Sequence, residues 1–197
     1  MEFKMIDHHL DIGCGRTPRN PYNRDRLWGV DLEGAPVSPN CKVLPCNVVL
    51  EDLPFEDGFF DSVSAYDFFE HIPRMIIVDG AIKFPFVDLM NDIWRVLKPG
   101  GLLYAVTPAF PRQEAFVDPT HTNFITERTH EFFVNPFNYA MIYGYIGLFD
   151  VCRVGWVRPI CEYEPVKRTL GQKFNLFKDI VKMKRTHFLW EFKKLTE

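Results

Sequence analysis

Two glycines near the start of the chain constrain it most: Gly13-Cys14-Gly15 follows directly on the apolar run His9-Leu10-Asp11-Ile12. Glycines at the end of such a run let the backbone reverse sharply and aim its N–H groups at an anion. A second run, Leu27-Trp28-Gly29-Val30-Asp31, ends on an acid sixteen residues past Gly15. A carboxylate there can accept both hydroxyls of a ribose. Strand, glycine turn and helix, then strand and acid, predict a nucleotide-type site. The dinucleotide fingerprint asks for a third glycine three positions after Gly15, where Pro18 stands instead. A plain tight turn and a strand-end cap are the competing readings of Gly13, Gly15 and Asp31.

Further apolar runs continue the alternation of strands with helical stretches that marks a parallel α/β sheet. Lys42-Val43-Leu44-Pro45-Cys46 reads as a third strand and Asp61–Tyr66 as a fourth. Phe86, Met90, Ile93 and Leu97 recur at helical spacing, and Lys98-Pro99-Gly100-Gly101 ends that helix. Leu102–Thr107 is a fifth strand, followed by an irregular stretch from Pro108 to Asn123. Loops that long inside a compact domain are commonly functional. A helix is predicted near Thr126–Phe133, before Pro136. Phe149–Val157 and His187–Phe192 form the sixth and seventh strands, an antiparallel pair at one edge, with an amphipathic helix over Leu170–Lys184 between them. The predicted fold is a doubly wound, mostly parallel seven-stranded α/β sheet. One domain spans 1–197, with 158–186 inserted between its last two strands.

Composition narrows the function classes. At 197 residues and 47% hydrophobic the chain can bury a core, so disorder and coiled coil are excluded. No apolar run approaches the ~20 residues of a membrane span, and no secretory h-region is visible. Five scattered cysteines without a CxxC pair predict neither a disulfide framework nor a metal site, and so a reduced, cytoplasmic setting. Net charge is -3 overall, but from Asp150 onward eleven Lys and Arg face six Asp and Glu. An acidic body thus carries a basic tail.

Leu10-Asp11-Ile12-Gly13-Cys14-Gly15 resembles the first motif of the class I S-adenosylmethionine-dependent methyltransferases, an apolar run, an acid and then G-x-G. Three later stretches are similar to family landmarks in the same order. They are Leu53-Pro54-Phe55-Glu56-Asp57-Gly58-Phe59-Phe60-Asp61, Phe69-Glu70-His71-Ile72 and Arg95-Val96-Leu97-Lys98-Pro99-Gly100-Gly101. The resemblance implies S-adenosylmethionine as cofactor. Gly13, Cys14 and Gly15 would line its methionine portion and Asp11 would hold its ammonium. Asp31 would take the ribose diol, with Leu32 against the adenine. Asn47, where the family usually has Asp, would receive the adenine amino group beside Val48; a simple turn residue is the alternative. Ala65 and Tyr66 would border the sulfonium, although Tyr66 also reads as a core aromatic.

The acceptor is less legible. The amino-methylating DNA enzymes carry an acid or amide, two prolines and an aromatic at the end of strand four, but Ala65-Tyr66-Asp67-Phe68 has no proline. Asp118-Pro119-Thr120-His121 resembles an element of bacterial methyltransferases associated with sugar or small-molecule modification. His121 is the first candidate general base for a hydroxyl, with Asp118 orienting it or binding substrate, and His71 is the second. A polar turn with His121 capping the next helix is the competing reading. The expected function is O-methylation of a small-molecule or sugar-like acceptor. An RNA methyltransferase using Lys167, Arg168, Lys173, Lys178, Lys182, Lys184 and Arg185 is one alternative. A non-catalytic cofactor-binding partner subunit is another. The Leu170–Lys184 helix would otherwise pack on the domain or on a second copy as a homodimer.

Overall fold

The computed structural model describes residues 6–34, 39–162 and 185–195. The expected helix over Leu170–Lys184, and the basic residues on it, lie outside the described residues. Seven strands form one sheet: β1 (His8–Ile12), β2 (Arg26–Asp31), β3 (Cys41–Pro45), β4 (Phe60–Tyr66), β7 (Leu97–Pro108), β8 (Phe149–Val157) and β9 (His187–Lys194). Their order is β3-β2-β1-β4-β7-β9-β8, and β9 alone runs antiparallel to its neighbours. The small hairpin of β5 (Ile76–Val78) and β6 (Ala81–Lys83) stands apart from it. Seven strands, mostly parallel, with an antiparallel pair at one edge, are what the sequence predicted.

Alternation along the central strands sorts residues to two unlike faces. Leu10 and Ile12 of β1, Val63 and Ala65 of β4, and Phe188, Trp190 and Phe192 of β9 point into the main core. Against them packs α1 (Pro85–Val96), which opens on a proline and buries Phe86, Leu89, Met90, Ile93 and Val96. Trp190, fully buried, lies within 6.4 Å of the rings of Phe69, Phe86, Phe133 and Phe192. On the other face His9, Asp11, Ser62 and Ser64 are buried beside a smaller cluster of Tyr66, Tyr104, Val106, Val157 and Leu189, with Tyr22 packed against it.

Two local features differ from the sequence reading. The connection from β1 to β2 is built of turns, not the helix expected after the glycines. Pro18 and Pro21 lack the N–H groups a helix needs there, and Asn20 and Asn23 close a turn instead, Asn23 at φ 51°. The stretch expected as a helix over Thr126–Phe133 forms only a 3-10 turn, Thr129–Phe132. Among the described residues no helix is long and apolar enough to cross a membrane.

Lys194 closes the α1–β7 junction. Its ammonium, on a residue 9% exposed, donates to the carbonyls of Trp94 (2.7 Å) and Leu97 (2.8 Å) and lies 4.0 Å over the Trp94 ring. A cation on the last carbonyls of a helix also opposes its dipole. Lys194→Met is expected to lose about 1.5–3 kcal/mol, the worth of charged hydrogen bonds of this kind, as measured by urea unfolding. An unchanged midpoint would show that the cap contributes nothing.

Candidate functional site

The parallel strands β1, β2 and β4 end on one edge of the sheet, which places the glycine turn, Asp31 and Ala65-Tyr66 at that edge. Gly13 (φ 65°) and Gly15 (φ 57°) both take the left-handed conformation that L side chains rarely adopt. Gly13 N donates to the Val30 carbonyl, tying the turn to β2. The Phe68 ring occupies the place where a Cβ on Gly13 would stand, whereas the space beside Gly15 is open. The buried Cys14 thiol packs on Gly29 of β2, so its side chain supports the turn from beneath.

Asp31 holds the turn from the end of β2. Its carboxylate accepts from the amides of Gly15 and Leu32, both at 2.8 Å, and the Leu32 side chain beside it is exposed. Asn47 uses its side-chain oxygen on the Val49 amide (3.2 Å), which leaves a second lone pair for another donor. Ala65 and Tyr66 end β4 on opposite faces, Ala65 in the main core and Tyr66 under the Arg19 guanidinium at 4.8 Å.

Asp11 is 1% exposed and accepts from Ser64 Oγ (2.6 Å) and from the Arg19 amide (2.7 Å). Ser64 spends its only proton on Asp11, so His9 Nε2 must donate to Ser64 Oγ (2.8 Å). His9 Nδ1 then accepts from Ser62 Oγ (2.7 Å). Burial pushes the Asp11 carboxyl up to about 7, against those two hydrogen bonds, and pushes His9 down to about 3. The linked chain is thus a neutral imidazole under a carboxyl poised near neutrality.

Beyond Tyr66 the chain makes a left-handed turn at Asp67 (φ 49°) and a single 3-10 turn, Phe69–His71. Glu70, 1% exposed, receives the Thr107 hydroxyl on Oε2 at 2.7 Å, while its Oε1 has no hydrogen-bond partner among the described residues. Burial raises its carboxyl to about 8, with the Thr107 bond opposing. The Glu70 carbonyl accepts from the amides of Thr122 and Asn123, both at 2.9 Å, and so pins the loop bearing His121. His121 Nε2 lies 3.9 Å from Glu70 Oε1, and its ring is 4.8 Å from that of His71. Asp118 does not reach His121 through its carboxylate. It accepts instead from Thr120 Oγ1 (2.6 Å), which lies 3.0 Å from His71 Nδ1, so the second histidine is the one it orients.

A cavity of about 750 Å³ opens next to this loop. Phe84, Phe86, Phe132, Tyr139 and Tyr143 supply much of its wall, with Arg74, Asn123 and Arg128 among the polar groups. Asn123 joins cavity to cluster: its side chain donates to the Phe69 carbonyl (3.0 Å) and receives Arg74 Nε (2.7 Å). Sequence reasoning missed Glu70 and Thr107 as site residues. Glu70 served there only as part of a landmark, and nothing local marks a threonine on β7.

The sheet order is that of the Rossmann-like class I methyltransferase fold. Residues 10–105, from β1 into β7, match the family model of the methyltransferase domain. No curated protein sequence matches the chain. Among solved structures it is similar to a chain from the complex of the Haloferax volcanii Trm112 methyltransferase activator with a methyltransferase. The two share 14% identity at TM-score 0.58, covering 100% of this chain and 86% of the other. A SAM-dependent methyltransferase from Mesorhizobium loti gives 14% identity and TM-score 0.57, covering 95% and 90%. Geranyl diphosphate C-methyltransferase from Streptomyces coelicolor, solved with Mg2+ and S-adenosyl-L-homocysteine, gives 14% and 0.53, covering 96% and 71%. At such identities the likeness is one of fold. The cofactor of this class, S-adenosylmethionine, suits the open space at Gly15 and the carboxylate at the end of β2.

Two outcomes follow. Asp31→Ala is expected to weaken S-adenosylhomocysteine binding roughly ten- to hundred-fold, the loss of about 1.5–3 kcal/mol of charged hydrogen bonds. Unchanged affinity in calorimetry would remove Asp31 from the ribose. Asp11 has a raised folded-state pKa, so its contribution to stability is intact below about pH 4 and is lost as pH rises toward about 7. Asp11→Asn should therefore be more stable than the natural chain at pH 8, on the order of a few kcal/mol, with the gap closing by pH 4. A gap independent of pH in thermal melts would contradict the assignment.

Proposed function

We propose that the chain is an O-methyltransferase acting on the hydroxyl of a small-molecule or sugar-like acceptor. The observation that carries this reading is the cluster of Glu70, His71 and His121, which is tied to the cavity wall through the Asn123 amide on the Glu70 carbonyl. S-Adenosylmethionine, when bound, supplies an electrophilic methyl group on a sulfonium. On the cofactor side Asp11, Gly13, Cys14, Gly15, Asp31 and Leu32 bind and orient it, with Asn47 and Val48 at the adenine and Ala65 and Tyr66 near the reacting end. On the acceptor side the aromatic cavity wall favours an apolar ring or chain and keeps water from the hydroxyl. That hydroxyl faces the cluster, whose lone pairs lower the cost of removing its proton. Alignment by such walls is worth about 7–11 kcal/mol in favourable cases, so the polar groups have a limited task.

A second reading, a partner subunit, draws on the Haloferax relative seen with an activator. The exposed apolar surface of Met141, Ile142 and Ile146 favours it. The RNA reading rests on the basic residues between 167 and 185, of which only Arg185 is described. The proposal includes one domain over 1–197 and a cytoplasmic setting.

The test is S-adenosylhomocysteine release on a panel of hydroxylated small molecules, with amines and RNA as comparisons. His121→Ala should lower turnover on the accepted hydroxyl at least ~10²-fold while S-adenosylhomocysteine affinity stays intact. Unchanged turnover would remove His121. Acceptance of RNA alone, with affinity falling steeply with salt, would replace the reading.

A further inference from the structure

Glu70, His71 and His121 each offer a donor atom, and these atoms all lie within 4.8 Å of one another. We propose that they form a binding site for a divalent transition-metal ion on the acceptor side of the cofactor site, with positions left open for an acceptor oxygen. The inference rests on the reading of this cluster as the acceptor side, and it adds the group through which the cluster acts.

Three observations carry it. The first is Glu70 Oε1, on a residue 1% exposed, which has no hydrogen-bond partner among the described residues and lies 3.9 Å from His121 Nε2. A buried carboxyl oxygen without a partner is costly to leave unsatisfied, and a cation that displaces the carboxyl proton satisfies it. Second, each ring is held by its other nitrogen, as metal-binding histidines commonly are. His121 Nδ1 lies 3.2 Å from the Ala115 carbonyl, which can only accept, so Nε2 carries the lone pair. His71 Nδ1 meets Thr120 Oγ1, whose proton is committed to Asp118, so His71 donates there and its Nε2 is the free lone pair. Third, the dimensions suit an ion. Bonds of about 2.0–2.2 Å place donors on a common ion about 3–4.2 Å apart, so these donors need only a small inward movement.

Two imidazoles and one carboxylate select divalent zinc, cobalt, manganese or iron over the all-oxygen preference of magnesium. Such an ion polarises a bound oxygen. The sequence predicted no metal because His121 stands fifty residues beyond His71 and no cysteine pair marks the place.

The test uses the full chain with Co2+ alone, titrated by calorimetry and by the visible absorption of the bound ion, with Mg2+ for comparison. One Co2+ per chain is expected, weakened at least about tenfold in His71→Ala, His121→Ala and Glu70→Gln. Thr120→Val, which keeps all three donors but frees the His71 ring, is expected to weaken it less. S-Adenosylhomocysteine affinity in each variant reports that the fold is intact. No Co2+ binding, or binding unaltered in His71→Ala and His121→Ala, would overturn the site. Loss of turnover in His121→Ala without any Co2+ binding would likewise overturn it and leave the methyl-transfer reading standing. Variant-sensitive Co2+ binding with no methyl transfer to any acceptor would support the site while removing the acceptor reading.

Discussion

Asp11, a carboxyl almost sealed from water, sits where β1, β4 and the glycine turn meet, and its hydrogen bonds hold the three together. Ser64 reaches it from β4, directly opposite in register, and the Arg19 amide returns to it from the far side of the turn. His9 and Ser62 extend the chain one layer deeper. Burying these groups is unfavourable unless each is satisfied. The pairing dictates which tautomer His9 takes and how the turn closes. This face of the sheet therefore needs no helix directly after β1: a polar network anchors the return of the chain to the sheet.

Segment 67–71 divides the site. On one side Phe68 presses on Gly13, so the turn and β4 fit only with glycine there. On the other, Glu70 fixes the His121 loop by two backbone hydrogen bonds and presents its side chain to both histidines. The glycine turn and the histidine cluster are thus joined through five residues of backbone. Thr107, reaching Glu70 from β7, makes the partition part of the sheet.

Period and punctuation made much of this legible. The strands were read within a few residues because apolar runs, the glycine turn and the Lys98-Pro99-Gly100-Gly101 stop each mark a local conformation. The β5–β6 hairpin escaped although Asp79-Gly80, both at positive φ, is a two-residue hairpin turn. Its strands are too short to show a period. The segment after Gly15 is not the helix that the strand and glycine-turn pattern predicts, because Pro18 and Pro21 remove N–H donors there. Glu70, Thr107 and the partners of the two histidines were invisible for a different reason: they meet only when β4, β7 and the 108–123 loop are assembled.

Methyl transfer by this chain requires that the open face of the glycine turn receive S-adenosylmethionine. Calorimetric titration of the chain with S-adenosylhomocysteine, with NAD as the comparison, tests it most directly. Micromolar binding of S-adenosylhomocysteine and none of NAD is the predicted result. Binding of neither, or of NAD alone, would contradict it.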